Sequence, residues 1–282
     1  MDSSSIEKLV RSCLYNWIGY GNLDADTWFV GTEEGGAEIW RRPPAAIVGL
    51  SERERIIWSL DIRSKFHPVM DFQKVWKQLY QYGDEFDSLI STRNNVWRYI
   101  AAFHLYQEGK ILSTQSNEET EAAITDFLKT DFGSPSGGFL FTEFWPLPKG
   151  SQDEFPDLYK KIWPSISDYS AEVANKRSRL MIRAIEENKT VRCIVSFSRD
   201  FSYHFLQAYP ENSGDESQFP STLLKEWSDE NGRMFKLYSV RLGNGREIKF
   251  LQSPFFGYMG YGPKWHEKKG LPYAASLVQY ST

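Results

Sequence analysis

The sequence predicts an α/β protein, a three-layer α-β-α arrangement in which a mostly parallel central sheet is covered by helices on both faces. Three observations predict it. Short apolar runs, GFLFTEFW at 138–145 and VRCIVSF at 191–197, alternate with longer stretches of helical spacing, as βαβ units require. Those runs are nearly continuous in apolar side chains, the pattern of strands buried on both faces. With 282 residues, 41% apolar and 16% aromatic, the chain can fill one large core, so a single domain over 1–282 is expected.

The elements follow in order. Ser4 and Glu7 make a capping-box pair, after which Ile6, Leu9, Val10, Cys13, Leu14 and Trp17 recur at helical spacing. TWFVG at 27–31 reads as a short strand ending in glycine. Helices are predicted over 69–82, 94–108, 118–129 and 170–188, with a further amphipathic helix after Asp200. The segments 233–242 and 246–252, joined by Asn244-Gly245, read as a hairpin with a two-residue turn. The polar stretches 150–153 and 210–220 are expected to be the least ordered.

Bulk properties limit the function. The start MDSSSIEKLV lacks a basic region followed by an apolar one, and no run reaches the roughly 18–20 apolar residues of a bilayer span, so a cytoplasmic protein with no membrane partner is expected. Two cysteines, Cys13 and Cys193, exclude a chain-internal disulfide framework, a cysteine-rich zinc site and a four-cysteine iron–sulfur cluster. No His/Cys/carboxylate cluster has ligand spacing, so neither a metal nor an organic cofactor is implied. The formal charge of −4 counts against a broad basic nucleic-acid surface and leaves room for a local basic cleft. A G-x-S-x-G elbow and a phosphate-binding P-loop are both absent.

In parallel sheets, ligands bind beyond the carboxyl ends of the strands, which directs attention to four loops. The first, Gly31-Thr32-Glu33-Glu34-Gly35-Gly36, puts two carboxylates in a glycine-bordered turn. Glycines permit close approach to a ligand, and adjacent half-buried acids share protons; a solvated acidic turn is the competing reading. The second contains Thr142, Glu143, Phe144 and Trp145. A glutamate inside an apolar strand is costly to bury unless paired or used, the alternatives being a sideways turn into solvent or pairing with an arginine. The third, Ser196 to Asp200, offers Arg199 to a phosphate or makes an ordinary helix cap. The fourth carries Ser253, Pro254, Phe255, Phe256, Tyr258, Met259, Lys264 and His266, with Lys268 and Lys269 close behind. Rings beside lysines suit wedging into a base stack while holding phosphates, and a return of the rings to the core is the alternative.

These four segments, in this order, resemble the uracil-DNA glycosylase superfamily. Gly31-Thr32-Glu33-Glu34-Gly35 stands at its first motif, Thr142-Glu143 at its second, and Ser253-Pro254-Phe255 at its late loop. The similarity covers about 100 scattered residues, and the helical stretch 41–137 reads as an insertion. Glu34 replaces the first-motif proline, Ser253 the late-loop histidine, and Glu143 the base-reading asparagine. A carboxylate only accepts hydrogen bonds, so Glu143 suits an exocyclic amine such as cytosine N4.

The resemblance thus implies a monomeric, monofunctional DNA glycosylase without cofactor, acting on DNA that carries an amino-bearing, cytosine-type modified base. Relatives that excise hypermodified phage cytosines in antiviral defence fit the same departure. Glu33, at the family's water-activating position, and Glu34 are the implied catalytic acids. Glu143 and Thr142 read the base, and Trp40, Phe144 and Trp145 stack on it. Ser253, Pro254, Phe255, Phe256, Tyr258, Met259, Lys264, His266 and Arg199 contact DNA. Two other readings remain open: a non-catalytic module binding modified nucleic acid or a nucleotide, and a hydrolase of a small sugar nucleotide with Glu33, Glu34 and Glu143 as acid and base.

Overall fold

The first helix starts two residues earlier than the Ser4–Glu7 pair predicts. α1 (Ser3–Tyr15) is capped by Asp2, whose carboxylate accepts from the Ser5 amide at 2.8 Å, while Glu7 pairs with Arg11 one turn on, at 2.8 Å. A charged oxygen at the positive end of the helix wins over the neutral hydroxyls that follow it. The computed structural model describes residues 2–33, 35–81, 83–90, 96–112, 114–150, 155–209, 220–229, 231–254 and 270–279.

Next come β1 (Gly19–Gly21), β2 (Thr27–Glu33), a π-helical turn (Ala37–Arg41), a 3-10 turn (Ala45–Ile47), α2 (Glu52–Ser64), β3 (Val69–Met70), α3 (Phe72–Leu79), α4 (Gly83–Ile90), α5 (Val96–Gln107) and α6 (Asn117–Thr130). The remainder supplies β4 (Phe139–Trp145), α7 (Asp157–Lys160), α8 (Ile166–Glu187), β5 (Cys193–Ser196), α9 (Arg199–Ala208), β6 (Ser221–Ser228), β7 (Met234–Arg241), β8 (Glu247–Gln252) and α10 (Leu271–Leu277).

The strands form one sheet in the order β3-β1-β4-β2-β5-β8-β7-β6. Its centre, β4-β2-β5-β8, is parallel throughout. Antiparallel ladders join β1 to β4, β7 to β8 and β6 to β7, and a short parallel one joins β1 to β3. Helices cover both faces. Phe29, Phe139, Phe141, Val195 and Leu251 pack against side chains of α3, α4, α5, α6 and α10. Trp28, Val30, Leu140, Ile194 and Phe250 pack against α8 and α9. A third cluster joins α1, α2, α7 and the start of α8 around Tyr159 and Tyr169. No helix among the described residues is long and apolar enough to cross a membrane.

Two predicted elements change in detail. The stretch 69–82 opens as the edge strand β3, and α3 starts only after Asp71, whose carboxylate accepts from the Lys74 amide at 3.1 Å. The β7–β8 hairpin closes at Leu242 and Arg246, bonded N to O at 2.8 Å, so its loop holds three residues rather than two. Gly245, at φ +83°, takes the left-handed position that such a loop requires.

The topology selects one place on the sheet. From β2 the chain passes to β4 on one side, whereas from β5 it passes to β8 on the other. The strand order therefore reverses between β2 and β5, the switch point at whose carboxyl edge parallel sheets bind ligands. β5 ends opposite Val30, yet β2 continues three residues further beside β4, to Glu33 opposite Trp145. Residues 31–33 thus overhang the switch point.

Candidate functional site

The overhang brings Glu33 and Glu143 onto one sheet face. Gly31 lies opposite Glu143 in the parallel β2–β4 ladder, and alternation puts Gly31 and Glu33 on the same side of β2. The Glu143 carboxylate lies across Gly31: a Cβ there would sit 2.0 Å from its Oε2 and 2.7 Å from its Oε1. Gly31 is therefore a strand residue that makes room for a carboxylate, not the turn glycine the sequence suggests. The turn falls to Gly36, which has φ +51° and carries the Trp40 ring so close that a Cβ would meet it at 2.3 Å.

Glu33 ends β2 with a side chain only 11% exposed, and the Lys149 Nζ stands 3.2 Å from its Oε2. Burial raises its carboxyl to about 7, against the pull of the Lys149 ammonium. Lys149, itself 6% exposed, is aimed inward by its loop. Leu147 is fully buried, and the Pro148 carbonyl accepts from the Tyr159 hydroxyl at 3.1 Å. Tyr169 of α8 is buried nearby, its hydroxyl without a hydrogen-bond partner among the described residues. Burial first, and then the charge on Glu33, push that phenol well above its ordinary value.

Two buried cations brace the surroundings. Arg177 of α8 donates to the Thr142 hydroxyl at 3.0 Å and to the carbonyls of Glu143, Ile18 and Leu14, each at 3.3 Å. Burial lowers its guanidinium to about 10, opposed by the Tyr169 phenol and the Glu143 charge. Arg63 of α2 pairs with the fully buried Glu38 at 2.9 Å, and Glu38 also accepts from the Ser59 hydroxyl at 2.6 Å. Since Glu38 belongs to the π-helical turn, this network fixes the chain just beyond Glu33.

The other predicted site residues divide. Thr142 points to the α8 face and is engaged by Arg177, so it does not line the Glu33 face. Phe144, expected to stack on the base, is fully buried against Phe201 and His204, with ring centroids at 6.1 and 5.7 Å. Trp145 packs on Tyr169 at 5.6 Å and donates to Asp200 at 2.7 Å, tying β4 to α9. Trp40 lies half-buried by Gly36 and Pro148 and donates to Glu52 at 3.0 Å.

Ser198 caps α9 by accepting from the Phe201 amide at 3.2 Å, and this leaves Arg199 exposed on the first turn. The Ser253 amide donates to the Ser196 carbonyl at 2.8 Å, which carries the β5–β8 pairing one residue past the end of β8, to Ser253, with Pro254 next in the chain. Glu34, Phe255, Phe256, Tyr258, Met259, Lys264 and His266 lie outside the described residues.

Glu33, Glu143 and Ser253 thus share the carboxyl edge of the sheet. Sequence reasoning missed Lys149, Tyr169, Arg177 and the Glu38–Arg63 pair. Apart from its place in a strand-end loop, nothing in the sequence marks Lys149, a lysine between Pro148 and Gly150. No family model matches the chain, and no solved structure matches it. A mitochondrial intermediate peptidase of Pyricularia oryzae is 22% identical over 203 residues, 71% of this chain and 22% of that protein. The chain spans about a fifth of that relative's length.

Proposed function

We propose that the chain is a DNA glycosylase that hydrolyses the bond between a flipped-out, amino-bearing modified base and its deoxyribose. The observation that carries this reading is the pair of acids, Glu33 and Glu143, held on one face at the switch point of the sheet. They take two roles. Breaking the C1′–N bond leaves its electron pair on the departing base and positive charge on the sugar. The Glu33 carboxylate, ionised in part at neutral pH, stabilises that charge and orients the water that adds to C1′. The water's proton passes to the carboxylate and on to solvent, while the base takes one from solvent. Glu143 accepts from the exocyclic amine of the base and so rejects a carbonyl at that position. Extruding the nucleotide costs a few kcal/mol, least where pairing is already weak. Excision of hypermodified bases from phage DNA in antiviral defence is the setting this specificity suits.

The test is a screen of duplex and single-stranded oligonucleotides carrying natural, damaged and phage-type modified cytosines, scored for abasic sites by alkaline cleavage. Release of one amino-bearing base is expected, with Glu33→Gln slowing it by roughly a hundredfold or more. Absence of abasic sites across the panel would sink the reading. The formal charge of −4 favours a second one, a hydrolase of small sugar nucleotides using the same acids; release of free base from nucleotides, and not from DNA, would select it.

A further inference from the structure

We infer that Lys149 is a positioning residue: its ammonium, held against Glu33, favours the ionised form of that carboxylate and fixes its place at the end of β2, and so sets the pH range over which the site works. Its catalytic meaning rests on the function proposed above; the coupling of the two side chains does not.

The geometry carries it. A lysine has a four-carbon stem long enough to place its charge in water from almost any surface loop. Lys149 does the reverse, with Nζ 3.2 Å from Glu33 and side-chain exposures of 6% and 11% for the two partners. Removing both charges from water is costly before their attraction is counted, so the loop has to impose the arrangement. It does so through buried Leu147 and the Tyr159–Pro148 hydrogen bond.

Among the described residues, the other groups around Glu33 do not supply this charge. On β4, Glu143 shares its sheet face and is of like sign. On α8, Tyr169 is neutral. Arg177, also on α8, donates through the opposite face to Thr142 and to main-chain carbonyls. Burial favours the protonated acid and Lys149 opposes it, so loss of Lys149 leaves burial unopposed.

Carbon-13 NMR of the glutamate carboxyls follows Glu33 in the full chain without substrate, its signal assigned by its loss in Glu33→Gln. Lys149→Met is expected to raise the Glu33 midpoint by at least about one pH unit, a tenfold loss of ionised carboxylate below it. Lys149→Arg, which keeps the charge, is expected to return the midpoint close to wild type, and Lys149→Gln serves if the methionine protein does not fold. With a cleavable DNA in hand, the acid limb of kcat/KM should move by the same amount. A midpoint unmoved in the neutral variants, with only the melting temperature lowered, would overturn the inference. A moved midpoint in a protein that releases no base would leave it standing and remove the glycosylase reading instead.

Discussion

Glu33 is held in the fold as a weaker acid than it is in water, and stability must record the difference. Its carboxyl rises from 4.5 to about 7, chiefly through burial. Between those values the folded chain binds the proton that the unfolded chain has released, so stability falls as pH rises through this window and levels off above it. The shift corresponds to about 3 kcal/mol at 1.36 kcal/mol per unit. Urea denaturation between pH 4.5 and 8 should show this decline in wild type and lack the Glu33 part of it in Glu33→Gln. The net gain of that variant at pH 8 should be smaller than the full amount, because Lys149 loses its partner there. An identical pH slope in the two proteins would contradict the burial argument. At this scale the acids were legible, since a glutamate in or beside an apolar strand is conspicuous. Lys149 was not, because a single lysine between proline and glycine looks like any solvated loop until the loop's inward path is known.

Among the elements, α8 does more than cover the sheet. Its Arg177 gathers the carbonyls of Leu14, Trp17 and Ile18, between the end of α1 and the start of β1, together with Thr142 and Glu143 of β4. Arg177→Met would leave buried acceptors without donors at a cost of about 1–3 kcal/mol for each one stranded. A loss of at least about 3 kcal/mol is therefore expected in urea denaturation, and a loss below 1 kcal/mol would show that the carbonyls find other partners. The same logic explains which elements could be read from the residues. α5, α6, α8 and the central strands carry enough apolar residues at the right spacing to fall close to their predicted bounds, although α5 buries Arg98 and α8 buries Arg177. α2 was missed because its buried face is broken by Ser59 and Arg63, side chains there for the Glu38 network. β6 was missed because it is an edge strand, mostly exposed and interrupted by a bulge near Leu223, so period-two alternation hardly shows. In both, polar positions serve tertiary partners that pattern reading along the chain cannot see.

For the whole molecule, the parallel pairing of β2 with β4, beside the point where strand order reverses, brings acids that lie 110 residues apart to one edge, and charge then has to decide what reaches them. A net charge of −4 gives no general attraction for DNA. Exposed arginines nevertheless follow two of the strands that end there: Arg41 and Arg42 come after β2, Arg42 also donating to the Ser88 carbonyl at 3.2 Å, and Arg199 comes after β5. Three phosphate contacts from these arginines would release about three counterions, for a slope near −3 in log affinity against log salt. Fluorescence anisotropy of a modified duplex between 50 and 300 mM salt, a range chosen for the test, should therefore give a slope of roughly −2 to −4. Millimolar sugar nucleotide should fail to displace the duplex, since it offers two phosphates at most and cannot engage all three. A flat salt response with efficient displacement by the nucleotide would mean that the acids serve a small ligand. The switch point would then be a pocket for a nucleotide, and the arginines ordinary surface.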